Sequence, residues 1–410
     1  MKRLITIVLL LAVCLSVGGC GSGNEPAPTA PETTAAQALP NPTGTILRDD
    51  TQTPDLTQTN PDTDKPELQE TRLTFAACGD NIVYYGNVRE AAQIDGTYDF
   101  RYSYDQIRQT IRDADISFIN QENIMAKSLP LSYYPCFNVP QEVGEAVLDT
   151  GFDIVNLANN HMLDKGEKGL REAVDFWRES GAFIIGDYLS EDEYNALRIY
   201  EKDGVSIAFL SYTYGTNGIY LASSSDIVIP YLDEADITRQ VKAARQAADL
   251  VFVSVHWGEE NLFRPTEEQT RYAALFADLG VDAIIGHHPH VIQPIEWIEG
   301  KDGHRTLCVY SLGNLMAEMA CDYNMVGGIL TFDIVKTAQD SHIENVLFTP
   351  TVFYFTRNFY QNIVYFMEDF TAEMAASHGI SYYGNSTTVE KLRAYVTKTI
   401  GREFLPSYLF

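Results

Sequence analysis

The chain has 410 residues, is 45% hydrophobic and carries a formal net charge of −27, so it can bury a large core and is poorly suited to nucleic acid. An anionic ligand would need a local cationic site such as a metal. Six cysteines, none in a C-x-x-C pair, point to neither a zinc-thiolate site nor a disulfide framework.

Met1, Lys2 and Arg3, followed by an apolar run from Leu4 to Val17, have the basic start and short apolar stretch of a secretory signal. The run is too short for a comfortable membrane span. Val17-Gly18-Gly19-Cys20 then reads as a lipobox, which makes residues 1–19 a signal peptide and Cys20 the lipid-bearing residue; an ordinary cleavage site is the alternative. The expected address is the extracytoplasmic face of a bacterial cell membrane, reached through the N-terminal lipid. From Gly21 to Glu70 there is no aromatic residue, and nine acidic residues face only Arg48 and Lys65. Such a stretch cannot offset its ordering entropy, so residues 20–70 are expected to form a disordered tether.

The globular part is expected at 71–340. A strand over Leu73–Cys78 delivers Gly79-Asp80-Asn81, and a second over Asp115–Ile119 delivers Asn120-Gln121-Glu122. In open α/β sheets ligands gather at the carboxyl ends of strands, so Asp80 is either a turn residue or a metal ligand or base. Asn120 and Glu122 alternate to one face. A third strand, Gly151–Ala158, leads into Asn159-Asn160-His161 and Asp164. Leu170, Ala173, Val174 and Trp177 then recur at helical spacing up to Gly181, with Trp177 as core.

A strand over Val205–Leu210 runs into a polar loop with Tyr212, Tyr214 and Asn217, which either lines or caps a cleft. After a helix over Glu234–Ala248, the strand Leu250–Val255 ends in His256-Trp257-Gly258-Glu259-Glu260. A further helix carries Tyr272, Leu275, Phe276 and Leu279 on one face. Val281–Ile285 then reads as a buried strand ending in Gly286-His287-His288-Pro289-His290. Imidazoles one residue apart at a strand end can turn toward one pocket, as metal ligands do. Thr306–Leu312 delivers Gly313-Asn314, and Val326–Val335 is one more strand. Residues 341–410 are expected to be an aromatic-rich extension packed on the domain. Cys78 and Ser311 are read as structural, and the pairing of Cys78, Cys136, Cys308 and Cys321 is left open.

Six motifs in order, G-D at Asp80, N-x-E at Glu122, A-N-N-H at His161, H-W-G-x-E at His256, G-H-H-P-H at His288 and His290, and Y-S-L-G-N at Asn314, resemble the CapA family of poly-γ-glutamate capsule proteins over roughly residues 72 to 335. That family resembles the calcineurin-like metallophosphoesterases, which implies an α/β fold, a four-layer α/β/β/α sandwich. It also implies a metal centre of Asp80, Glu122, Asn160, His256, His288 and His290 holding one or two divalent ions (Zn, Mn or Fe), with His161 and Asp80 as catalytic groups. Asn120, Asn159, Glu259, His287 and Asn314 are the expected substrate-binding residues. The pattern departs at Ile82, where the phosphoesterases carry a histidine, and in Glu122, which replaces an aspartate.

The resemblance implies a metal-dependent hydrolase-like protein acting in synthesis, export or anchoring of an extracellular anionic polymer, alongside membrane capsule-synthesis proteins. Two alternatives stand beside it: a phosphoesterase acting on small or cell-wall phosphate esters, and a non-catalytic polymer-binding component of a membrane assembly.

Overall fold

The computed structural model describes residues 70–410, which fall in one compact unit, Asp64–Phe410. The expected signal peptide, Cys20 and nearly all of the expected tether lie outside the described residues. The strands in chain order are β1 (Thr71–Asn81), β2 (Ile116–Gln121), β3 (Ile154–Asn156), β4 (Phe183–Ile185), β5 (Arg198–Lys202), β6 (Val205–Thr213) and β7 (Leu250–His256). They continue with β8 (Ala283–His287), β9 (Ile295–Glu299), β10 (Arg305–Val309), β11 (Asn314–Met316), β12 (Val326–Lys336), β13 (Ser341–Tyr354) and β14 (Ile363–Phe366). One sheet has eight strands in the order β14-β13-β12-β1-β2-β3-β4, with β11 paired to β1, and the other has six in the order β5-β6-β7-β8-β10-β9. The centres of both are parallel: β1 to β4 in the first, and β6, β7, β8 and β10 in the second.

Alternation along β6 separates the layers. Ile207 and Phe209 face the first sheet, where Phe75 of β1 stacks with Phe332 at 4.8 Å and meets Phe252 edge-on at 5.4 Å. Ala208, Leu210 and Tyr212 belong to a separate cluster with Ile237, Val241 and Phe276. The helices are α1 (Tyr85–Ala91), α2 (Arg108–Asp113), α3 (Glu142–Thr150), α4 (Gly166–Ser180), α5 (Glu191–Asn195), α6 (Glu234–Ala247), α7 (Glu267–Asp278), α8 (Ala372–Ser377) and α9 (Val389–Thr399). α6 and α7 carry the outer cluster, while Val143 and Val147 of α3 and Leu170, Val174 and Trp177 of α4 pack on the first sheet. The result is the four-layer α/β/β/α order that the family resemblance implies. Among the described residues no helix is long and apolar enough to cross a membrane.

Two expectations change. Tyr212 is not in a loop: it is the penultimate residue of β6, fully buried, and its hydroxyl donates to Gln240 at 2.7 Å. The boundary expected at residue 340 falls in the turn between β12 and β13, which pair antiparallel along most of their length. The C-terminal segment therefore completes the first sheet. Cys78, Cys136, Cys308 and Cys321 are all free thiols.

Buried His378 ties that segment down. Its Nε2 lies 3.0 Å from the carbonyl of Phe353 and its Nδ1 accepts from the N–H of Ile380 at 3.3 Å, so both ring nitrogens are used in the neutral form. Burial holds the imidazole at about 4, below its ordinary 6.5. The unfolded chain thus binds the extra proton first as pH falls. Stability from this group is complete above about pH 6.5 and is lost as pH drops through about 4. Urea midpoints measured across that window should fall with pH, and His378→Gln should flatten the slope.

Candidate metal centre

The carboxyl ends of β1, β2, β7 and β8 meet on one side of the molecule, and close backbone approaches bring them there. Asp80 donates its N–H to the carbonyl of Gly313 at 3.0 Å. A Cβ on Gly79 would lie 2.0 Å from that same oxygen, so only glycine lets β1 and the chain entering β11 come this close. In register with Asp80 stand Asn120 on one side and Asn314 on the other. Asn120 donates to Asp80 Oδ1 at 2.8 Å and accepts from Asn156 at 2.7 Å, so a file of amides fixes the Asp80 carboxylate.

Facing Asp80 are the histidines that follow β8. His290 places Nδ1 at 3.1 Å from Asp80 Oδ2 and 3.0 Å from Asn314 Oδ1, both acceptors, so Nδ1 carries the proton and Nε2 is left to face Glu122 at 3.7 Å. The backbone here is strained: φ is +96° at His288 and +54° at His290, values that bulky L-residues rarely adopt. The His288 N–H donates to Asp80 Oδ2 at 3.2 Å, which helps hold that turn.

Glu122 is the centre of the arrangement. Its Oε1 lies 3.7 Å from His290 Nε2, 3.9 Å from His256 Nε2 and 4.0 Å from His161 Nε2. Neither of its oxygens has a hydrogen-bond partner, although the side chain is fully buried. A buried carboxylate with no donor is costly, and burial accordingly pushes its pKa well up. Burial acts the other way on imidazoles, holding His288 at about 3 and His256 well below its ordinary range, in the neutral form that ligates metals. Burial would also lower His290, but Glu122 and Asp80 lift it to about 10. Against the upward push of burial, His287 and His290 hold the Asp80 carboxyl well below the usual range.

Two sets of ligand atoms each lie within 4.8 Å of one another: Asp80, Glu122 and His256, and Glu260, His288 and His290. Asn160 joins the first, its carboxamide oxygen 2.9 Å from His256 Nε2. Unpartnered oxygens on Glu122 and an unpartnered Nδ1 on His288, in a mixed N/O set, fit a borderline divalent cation. Ile82 does not supply a ligand; it is buried in a small apolar cluster with Phe137 and Ala317.

His161 stands at the rim of this group. Its Nδ1 lies 2.8 Å from Asp164 Oδ2, so Asp164 fixes the proton on Nδ1 and leaves Nε2 toward Glu122. Phe137 packs edge-on against the imidazole at 4.8 Å, and its backbone N–H donates to the same Asp164 oxygen at 2.6 Å. Asn217 approaches Nδ1 at 3.3 Å, and Tyr214 lies 4.5 Å from the ring of His288.

Asp80, Glu122, Asn160, His161, His256, His288 and His290 are thus brought together. The residues expected to bind substrate are placed differently. Asn120 and Asn314 are wholly buried and bonded to Asp80 and His290. Asn159 donates to the carbonyls of Gln121 and Leu157 and accepts the N–H of His161, which shapes the loop. His287 is wholly buried under Asp80, its ring stacked on Phe118 at 5.7 Å. Glu259 and Glu260 are both exposed, and it is Glu260 whose carboxylate lies within reach of His288 and His290. Glu260 is the final residue of the H-W-G-x-E motif, so the sequence did carry that signal. Asp164 was legible only as a polar residue near His161.

Residues 74–319 match the family described as bacterial capsule synthesis protein PGA_cap. The chain is 31% identical over 197 residues to the PGA biosynthesis protein CapA of Bacillus subtilis, covering 48% of this chain and 50% of that one. It is 27% identical over 254 residues to the capsule biosynthesis protein CapA of Bacillus anthracis, covering 60% of each. The matches therefore span about half to three fifths of these relatives' lengths. A solved phosphatase from Mycoplasma pneumoniae is similar at a TM-score of 0.43 and 12% identity, covering 69% of this chain and 95% of that one.

Asn314 holds the His290 ring at Nδ1 and the His290 carbonyl through its amide at 3.2 Å. Removing such a partner of a ligand commonly weakens metal binding ~10–100-fold. Asn314→Ala should show that loss in a competition titration against a chromogenic chelator.

Proposed function

The chain belongs to the bacterial capsule synthesis protein PGA_cap family, and from that premise we propose that it is a metal-dependent, hydrolase-like protein acting in synthesis, export or anchoring of an extracellular anionic polymer such as poly-γ-glutamate. The observation that carries the reading is the fully buried Glu122 carboxylate, unpartnered at both oxygens and ringed by three imidazole nitrogens. A fold keeps such an arrangement at a cost unless a cation balances it. The names of the Bacillus relatives support the polymer.

Asp80, Glu122, Asn160, His256, His288 and His290, with Glu260, would hold one or two divalent ions. Such an ion lowers the pKa of water toward neutrality and stabilises negative charge on an attacked phosphoryl or acyl oxygen. The chain's own residues do the rest. Asp164 keeps the His161 proton on Nδ1, which leaves Nε2 to take up a second proton and give it to a leaving group. Phe137, packed edge-on against the ring, restricts the side from which water reaches it. The amide file behind Asp80 keeps its carboxylate aimed between β1 and the histidines.

Elemental analysis of the purified full chain should find about one or two equivalents of Zn, Mn or Fe, and Glu122→Gln should lose most of it. A metal-free wild type after supplementation with each of these ions would overturn the reading. His161→Ala should retain the metal but lose about 10²–10⁴-fold in turnover of a generic phosphate ester or a γ-glutamyl polymer. Which of the two is turned over separates a polymer-processing enzyme from a phosphoesterase, and binding of the polymer with turnover of neither would mark a non-catalytic component.

The proposal includes anchoring through a lipid on Cys20 at the extracytoplasmic face, with membrane capsule-synthesis proteins as partners. Cys20→Ala should move the protein from the membrane fraction into the medium, and retention in the membrane would count against the lipid.

A further inference from the structure

Next to the metal centre is a second feature that the catalytic reading leaves unused: a cleft of about 820 Å³ rich in tyrosine. One wall is α1 with the turn at Tyr133 and Tyr134, and the other comes from residues 357–360 and 382–383, beyond the segment that the family match covers. Glu90 fastens the walls together, its carboxylate accepting the N–H groups of Gln361 and Asn362 at 2.6 and 3.0 Å.

The cleft adjoins the His161 side of the metal centre through Tyr84. This side chain lines the cleft and packs edge-on against Phe137 at 5.4 Å, and Phe137 in turn lies on the ring of His161. Burial, with the charges of Glu122 and Glu260, pushes the Tyr84 phenol well up, a mark of how near the two features are.

Its surface is apolar and cationic in a strongly acidic chain. Tyr85, Tyr134, Tyr360 and Tyr382 are 57%, 72%, 47% and 59% exposed, so a contiguous set of aromatic faces is left open to solvent. Arg89 lies 4.9 Å over the ring of Tyr360 and gives its hydrogen bond to the carbonyl of Asn358 rather than to a carboxylate. Arg357 is exposed at the rim. The one acid in the lining is Glu318, which is 6% exposed. Its Oε2 accepts from the N–H of Gly86 at 3.0 Å, while Oε1 has no partner. Glycine at 86 makes room for it, since a Cβ there would stand 2.2 Å from Oε1. Burial pushes the Glu318 carboxyl up to about 8, toward its uncharged form, and Arg89 and Arg357 are the charged side chains of the lining that solvent reaches.

We propose that this cleft is the subsite that holds a carboxylate-bearing stretch of acidic polymer, with Arg89 and Arg357 taking carboxylates and the tyrosine faces taking the methylene segments between them. The inference rests on the polymer reading of the metal centre and locates the strand whose reacting bond would lie beside His161. Charge complementarity favours an acidic chain over a neutral glycan, which would use the aromatic faces alone.

The test is fluorescence anisotropy of end-labelled poly-γ-glutamate oligomers on the metal-loaded full chain. Wild type should bind with an affinity that falls as salt rises. Arg357→Ala should weaken binding about tenfold and Tyr382→Ala by a smaller factor, with metal content and melting temperature unchanged. A neutral dextran oligosaccharide should not compete, whereas unlabelled poly-γ-glutamate should. The proposal is overturned if Arg357→Ala binds as tightly as wild type, if the neutral oligosaccharide competes equally, or if metal-loaded wild type binds no polymer. Elemental analysis of the same samples separates these outcomes from failure of the metal centre, which would appear as absent metal in the wild type.

Discussion

Burying the Glu122 carboxylate without a hydrogen-bond donor is the constraint on which the rest of the structure depends. Three imidazole nitrogens surround it at 3.7 to 4.0 Å, each delivered by a different element. His256 ends β7, His290 follows β8, and His161 lies in the loop after β3. Placing them around one carboxylate requires the two sheets to stack with their parallel strands ending on the same side. The contacts of Phe75 with Phe209 and Phe252 of the other sheet set that stacking, and the Gly79–Gly313 approach sets the height of Asp80. Local strain at His288 and His290 is tolerated because the His288 N–H and the His290 imidazole both bond to Asp80 and over-determine the turn.

The electrostatics follow from this geometry. Burial pushes Glu122 up and His256 and His288 down, which reduces buried charge, while Asp80 and His290 face each other and are each shifted toward the ionised form. Around the ligands a second tier of amides, Asn120, Asn156 and Asn314, leaves little rotational freedom. The cost of ordering these side chains is thus met during folding and not when a ligand arrives.

Much of the fold was legible because its strands end in short polar clusters after β-branched runs, and α4, α6 and α7 show clear helical periodicity. What the sequence hid was direction. Asn120 and Asn314 are amides at strand ends, which reads equally as ligand binding or as support; only the register with Asp80 makes them supports. Glu260 was marked by the end of the H-W-G-x-E motif, but Glu259 and Glu260 are adjacent exposed residues after Gly258, where φ is +88°, and no period tells which of them reaches His288 and His290. β13 was missed because a strand of fourteen residues containing Pro350 and aromatic residues looks like an appendage until it is paired with β12. Tyr212 looked like loop material since its strand runs three residues past its obvious apolar core.

That pairing has a consequence for how the polypeptide can be divided. The family match stops at residue 319, before β12 begins. Cutting there would remove three strands and leave β1, the strand that carries Asp80, as a bare margin of the first sheet along the positions now matched by β12, Thr71 to Cys78. An unpaired row of N–H and C=O groups on an apolar strand is a template for another chain. A piece of this chain cut at residue 319 would therefore owe its loss of solubility to a margin that residues beyond the matched segment now close.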